Sequence, residues 1–391
     1  MSDSTASLYE ELINQAAQHI RSGEHDKAVE ILERTSKSIS RLRYETLRKH
    51  PKILALFIVA CMEGLELAGT HGLLESARSF RDCVQRVMPA SERITQLLLI
   101  FASVYLGELD KAREEIAGLV DASDLTFDQR LKLAQFAMKA FAPELALQVL
   151  EHTEVPAPPQ KDDPAREEKE WDIRDYWQTY AQALLQAGRL EELDTLLPRR
   201  GEIGARSLPY PFIVQALLKR QDYARAMEYA DRAPDLANRG LLRGMVAAAQ
   251  GKMDWARDEW WRVVREPLDI KGERLNFSAW MECALLLDDQ EKMAAALEAG
   301  TPALEDMDWF RLYRSLYQAK HGEPAEALPA FREALRGMFE MMNVPVSKEW
   351  MIWHVTGLVE RVLPEEVRDE FLAAIQEVVG SWLAYAAQQG R

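Results

Sequence analysis

The sequence predicts an all-α protein assembled as an array of about nine stacked helical hairpins, finished by a pair of capping helices at the C-terminus. Three observations carry this expectation. A turn residue followed five positions later by a small or apolar residue recurs along the chain. The segments on either side of each turn carry apolar residues at helical spacing. The composition is that of a folded chain: 48 % of the 391 residues are hydrophobic and 28 % charged, with 19 glycines and 17 prolines.

The clearest hairpin lies in Trp309 to Leu335. Gly322 is expected to end its first helix in the left-handed conformation, which costs glycine nothing sterically. Pro324 then suits the first turn of the second helix, where a backbone N–H is dispensable. Ala327, Phe331 and Ala334 fall on one face of that helix, and a residue as small as Ala327 lets two helix axes approach to about 8–10 Å.

With this turn as a ruler, the remaining elements follow in order. Gly23 leads to Ala28, Gly72 to Ala77 and Gly107 to Ala112; Phe141, in place of glycine, leads to Ala146. Gly188 then leads to Leu193, Gln221 to Ala226, Gly251 to Ala256, Asp288 to Met293 and Gly322 to Ala327. The separations between successive anchors are 49, 35, 34, 47, 33, 30, 37 and 34, of which six cluster near 34.

This series resembles the tetratricopeptide repeat (TPR) family, whose unit is a helix–turn–helix of 34 residues. Ala327 with Phe331 matches the family's Ala-x3-Phe element, and Ala256 with Trp260 matches it in weaker form. Trp177, Tyr180, Ala181 and Leu184 resemble its Trp-x2-Leu-Gly-x2-Tyr element. Ala16, Ala134, Ala181, Gly244 and Ser315 supply the small residue twelve positions before the anchor, and Pro89 the closing proline. The chain departs from the pattern at Leu65, Ile100, Val214 and Met281, which are large where a small residue is expected, and at Arg81, which replaces a large apolar one. The resemblance covers residues 8–337 as a series. It implies a right-handed superhelix whose first helices line a concave groove.

The two long separations have visible causes. Residues 36–50 form a basic insert, either an extension of a helix or a loop. Residues 154–170 hold Pro156, Pro158, Pro159 and Pro164 among charged residues, and proline both clashes with a helix and removes a donor. The expected organisation is an N-terminal array (8–152), an extended or disordered connector (153–170), a C-terminal array (171–340) and capping helices (341–391), with a long loop inside one continuous superhelix as the alternative. Ser347 is the expected N-cap of the first capping helix. The second carries a stripe of Val367, Phe371, Ile375, Val378, Val379, Trp382, Leu383 and Ala386, as suits a terminal element that covers an exposed face. A docking helix for a partner chain or a second copy is the alternative.

The formal net charge of −15 argues against nucleic acid or an anionic membrane surface as partner. Cys61, Cys83 and Cys283 lie far apart on apolar helical faces and read as buried thiols of a reducing compartment. No basic start precedes an apolar core at the N-terminus. Apolar runs such as Ile53 to Cys61 fall short of about 20 residues. A cytoplasmic location is therefore expected.

Catalytic signatures are missing. Gly244 to Met253 imitates a phosphate loop, but its first glycine lies two residues too far upstream and Met253 replaces the magnesium-binding Ser or Thr. The histidines at 19, 25, 50, 71, 152, 321 and 354 are scattered and read as surface or helix-end residues. No cofactor and no metal are expected. Asn276-Phe-Ser278 is a glycosylation sequon without a secretory context. Trp260 is expected in the core, with Trp255 and Trp261 partly exposed beside Arg257 and Arg262, a pairing that suits a protein interface.

By register, the resemblance places Gln182, Gln215, Asn238, Met245, Glu282, Trp309 and Lys320 on the groove. Amides suit an extended backbone, and Met245 and Trp309 offer apolar pockets. The Lys/Asn clamp of chaperone-tail binders finds no match, because Leu12, Ala17, Leu65 and Ile100 stand at comparable turns. The leading expectation is a non-catalytic scaffold or adaptor that binds a partner protein or peptide, whose identity the sequence leaves open along with the oligomeric state. A peptide-sensing receptor of the bacterial TPR type is the alternative. A more remote one is an enzyme using Glu282 or the Glu167, Glu168 and Asp172 cluster.

Overall fold

One hydrogen-bond motif ends eight of the nine first helices. In a computed structural model, which describes residues 3–160, 163–196, 203, 208–270, 276–342 and 344–388, Gly23, Gly72, Gly107, Gly188 and Gly251 take φ between 71° and 74°. Phe141, Gln221 and Asp288 adopt the same left-handed conformation, at 56°, 60° and 61°. In each case the next residue donates its N–H to a carbonyl five residues back, as Glu24 does to His19 and Asp289 to Ala284. This is the bond of a Schellman motif. It turns the chain so that the anchor five positions on enters the second helix facing the first. All nine anchors are buried, none more than 2 % exposed.

Gly322 is the exception and corrects the expectation made for it. Its φ is −140°. Its N–H reaches only four residues back, to Gln318 at 2.8 Å, so the helix ends on an ordinary α-turn. Pro324 still opens the next helix at its first position.

The chain divides into two compact units, Met1–Ala157 and Pro158–Arg391. The first holds α1 (Asp3–Arg21), α2 (His25–Ile39), α3 (Tyr44–Arg48), α4 (Pro51–Thr70), α5 (Leu74–Val87), α6 (Arg93–Tyr105), α7 (Leu109–Ala117), α8 (Phe127–Lys139) and α9 (Pro143–Glu151). Its hairpins α1–α2, α4–α5, α6–α7 and α8–α9 stack in chain order. Each second helix but the last packs on the next first helix, and the first helices also touch one another in series. The basic insert resolves into the end of α2, a turn and the short α3. Helix α4 is as long and apolar as a membrane span, yet it packs on α1, α2, α5 and α6 and buries Phe57, Cys61 and Leu65 there. All three cysteines are buried free thiols, and burial pushes each thiol pKa up.

The second unit holds α10 (Arg166–Gln186), a 3-10 turn (Leu190–Glu192) with α11 (Leu193–Leu196), α12 (Tyr210–Lys219), α13 (Tyr223–Asp231), α14 (Leu236–Ala249), α15 (Met253–Val264), α16 (Phe277–Leu287), α17 (Gln290–Leu304), α18 (Asp308–His321), α19 (Pro324–Met341), α20 (Pro345–Val362) and α21 (Glu365–Gln388). The first helices α10, α12, α14, α16 and α18 again touch in series. Among the described residues no strand occurs. Helix α10 begins at Arg166, earlier than the connector expected over 153–170 allows. The last connector proline is Pro164, and beyond it Arg166 and Arg174 both pair with Glu170 across one helical turn (2.7 and 3.4 Å), which supports a helix. Ser347 is not an N-cap: α20 begins at Pro345 after an extended Val344, because proline is preorganised for the first helical position.

Close helix contact depends on small residues where large ones cross. A Cβ at Gly244 would lie 2.0 Å from Trp260 Nε1, and that indole donates to the Leu241 carbonyl at 3.3 Å. Trp260 is fully buried, as expected of it, whereas Trp261 is exposed.

Two substitutions test this construction. Gly244→Ala overpacks the α14–α15 contact and is expected to cost about 1–3 kcal/mol in urea unfolding of the whole chain. Gln221→Gly removes a left-handed non-glycine at an exposed turn. It is expected to gain about 0.5–1 kcal/mol in the same measurement, the relief of strain exceeding the entropy that glycine adds to the unfolded chain.

Candidate functional site

Within the second unit, the face expected to form an open groove is covered by the chain itself. Helix α20 packs on α10, α12, α16 and α18, all first helices, while α21 packs on α19 and on α20. Only α21 therefore acts as the expected cap: Phe371 meets Phe331 at 4.9 Å and Trp382 meets Phe339 at 5.7 Å. The reason lies in the residues of α20. It buries Met351, His354, Val355, Leu358, Val359 and Val362, too wide an apolar surface for contact on one side only.

Beneath α20 lies a cavity of about 140 Å³. Helix α14 contributes Asn238, Leu241, Leu242 and Met245 to its wall, α16 contributes Ser278, Ala279 and Glu282, and α18 contributes Tyr313. Helix α20 adds Trp350 and His354 to the lining. Those two rings stack at 4.6 Å, four residues apart on one helical face, and Trp350 also meets Phe212 of α12 at 5.0 Å. Asn276 at the rim caps α16 by accepting the Ala279 N–H at 3.0 Å.

Glu282 is the chemical centre of this cavity. It is 3 % exposed. The Tyr313 hydroxyl donates to its Oε2 at 2.9 Å, and His354 Nε2 lies 3.1 Å from the same oxygen. The Tyr313 hydroxyl pKa is raised well above its usual value, first by burial and then by the Glu282 charge. The His354–Glu282 contact is thus a polar link between α20 and the first-helix face it covers.

The seven residues expected on the groove separate into three groups. Asn238, Met245 and Glu282 come together at the cavity. Gln182 and Gln215 are buried in the first-helix layer, so neither amide is displayed as an open groove requires. Trp309 is half-buried against Phe277 and Tyr313, and Lys320 pairs with Asp288 at 2.9 Å at the turn edge. Sequence reasoning missed Tyr313, Trp350 and His354. A histidine four positions from a tryptophan within an apolar helix was the available signal.

In the first unit, the first helices present a polar relay instead. The Tyr105 hydroxyl donates to Glu66 at 2.8 Å, and Lys139 approaches both groups while lying 4.8 Å over the Tyr105 ring. Burial lowers the Lys139 pKa, opposed by Glu66. Among the described residues, no group of three His, Cys, Asp or Glu side chains is placed to hold a metal ion.

Lys348, near the start of α20, stands 4.2 Å over the Phe339 ring. Burial lowers its pKa to about 8, against about 10.4 in an unfolded chain. Between those values the unfolded chain binds more protons, so this group makes stability rise with pH across the window, and its full cost is present below it. Lys348→Met is expected to gain about 1 kcal/mol near pH 7, a figure discounted for partial exposure and the ring contact. The gain should vanish by about pH 10.5 in denaturant melts taken across that range.

No protein-family profile matches the chain, and no curated protein matches it. Among solved structures it is similar to a structure of Naa15/Naa10 bound to HypK-THB, at 13 % identity and a TM-score of 0.31, covering 95 % of this chain and 55 % of that one. The chain thus spans about half the length of that protein. It is also similar to a circular tandem repeat protein with a novel repeat topology and enhanced subunit contact surfaces, at 16 % identity and a TM-score of 0.20, covering 99 % and 98 % of the two chains. Both likenesses are loose, and neither bears on function.

Proposed function

We propose that this protein is a non-catalytic interaction scaffold of the TPR type, and that the first-helix face of its second unit accepts a helix of a partner protein. One observation carries the reading: the chain's own α20 lies across α10, α12, α16 and α18, so this face is already shaped to receive an amphipathic helix. Groove recognition of a helix rests on anchor side chains at helical spacing, and Trp350, His354 and Leu358 of α20 have that spacing. In the free chain α20 is the occupant, and a partner helix takes its place. The net charge of −15 favours a protein partner over nucleic acid or an anionic membrane, and the buried thiols fit a cytoplasmic setting.

Exchange of α20 tests this. A labelled peptide of residues 344–363 is titrated into the full chain and into a Val355→Asp, Leu358→Asp variant whose own α20 is loosened. A tethered helix competes at an effective concentration on the order of millimolar, so the variant is expected to bind the peptide at least about tenfold tighter than the wild type. If the variant remains helical by circular dichroism and binds the peptide no better than the wild type, the groove is not a helix-accepting surface and the reading fails.

A further inference from the structure

Among its described residues, the second unit contains two buried carboxylates with different surroundings. Glu259, 3 % exposed, is surrounded by cations. Its Oε1 accepts from Arg262 at 2.8 Å, Trp255 Nε1 at 3.0 Å and Arg243 at 3.1 Å, and its Oε2 faces Arg243 Nε at 3.1 Å. That carboxylate lies between two guanidinium groups, and its role is to hold α14 against α15. Glu282 is equally buried, but both of its contacts, Tyr313 and His354, end on Oε2. Among the described residues nothing donates to Oε1. That oxygen is left for whatever occupies the adjoining space, for Glu282 forms part of the wall of a cavity of about 140 Å³.

We propose that this cavity is a binding site for a small organic cation, a primary ammonium on a compact apolar body of about six heavy atoms. The ammonium donates to Glu282 Oε1. Its remaining N–H groups have acceptors in the Ser278 hydroxyl and in the Asn238 side-chain carbonyl, whose amide nitrogen is already committed to Asp235 at 2.6 Å. Leu241, Leu242 and Met245 pack on the body. Size sets the scale, since an apolar cavity of about 150 Å³ admits benzene. Charge sets the sign: no Arg or Lys is among the described residues lining the cavity, and the nearby Arg361 guanidinium, whose charge reaches Glu282, stands outside that wall, so an anion would meet the carboxylate directly. A hard divalent ion is disfavoured because it needs about six oxygen ligands and Glu282 is the only carboxylate among the described residues of the wall. Because Trp350 and His354 of α20 line the cavity, an amine bound there would hold α20 in place. The site is independent of the scaffold reading, for peptide exchange probes the helix and amine binding probes the space beneath it.

The test compares cyclopentylamine with cyclopentanol, a neutral compound of the same shape, on the full-length protein. Binding is followed by calorimetry and by the ¹³C-methyl resonance of Met245. Cyclopentylamine is expected to bind with a dissociation constant on the order of 1 mM, at least about tenfold tighter than the alcohol, and to shift the Met245 methyl. Glu282→Gln should abolish the preference for the amine, whereas Glu291→Gln, at an exposed carboxylate, should retain it. Ala279→Met, which fills the cavity, should abolish binding of both compounds. The proposal is overturned by equal binding of amine and alcohol, by an undiminished preference in a folded Glu282→Gln chain, or by no saturable binding of the amine, which would leave water as the cavity's occupant.

Discussion

The structure depends on how the chain reverses at the end of each first helix. A residue in the left-handed conformation lets the next N–H reach a carbonyl five residues back. That bond ends the helix within one residue and leaves only a single residue before the second helix begins. The crossing of the two helices follows from it, and so does the position of the anchor, which always arrives on the inner side of the pair. Three non-glycine residues hold this conformation, showing that the packed hairpin outweighs the local strain of about 1–2 kcal/mol. Gly322 escapes the rule, yet Ala327 is buried in the same way, because tertiary packing of α18 on α19 holds that hairpin by itself.

Stacking propagates the geometry. A hairpin has an apolar face that it cannot cover alone, so each second helix seeks the next first helix and the array grows in chain order. Small residues set how closely this happens. Gly64 under Phe80 and Gly244 under Trp260 leave no room for a Cβ, and each lets a large ring close the gap between two helices.

A stack of this kind leaves two faces unsatisfied in the second unit, the outer side of the last hairpin and the side lined by first helices. The two C-terminal helices divide that work, α21 taking the first and α20 the second. A polar seam runs through the second contact, where His354 and Tyr313 both address one oxygen of Glu282. The result is a buried site assembled from three elements far apart in sequence, with a cavity beside the carboxylate.

Periodicity alone determined the hairpins. The turn positions and the nine anchors could be marked from residue types, because a left-handed turn and a buried helix face constrain the residues nearest to them in sequence. The burial of Trp260 was legible for the same reason. The connector was legible only as far as its last proline, since the side-chain pairs of Arg166 and Arg174 with Glu170 restart the helix beyond it. What only the tertiary structure decided was the destination of α20 and everything built upon it. Its residues state that it must be buried, but not against which partners, for apolar contact is non-directional. Gln182 and Gln215 consequently lie buried rather than displayed, and His354, unremarkable as one of seven scattered histidines, becomes the partner of Glu282 only when the fold carries it 72 positions back along the chain.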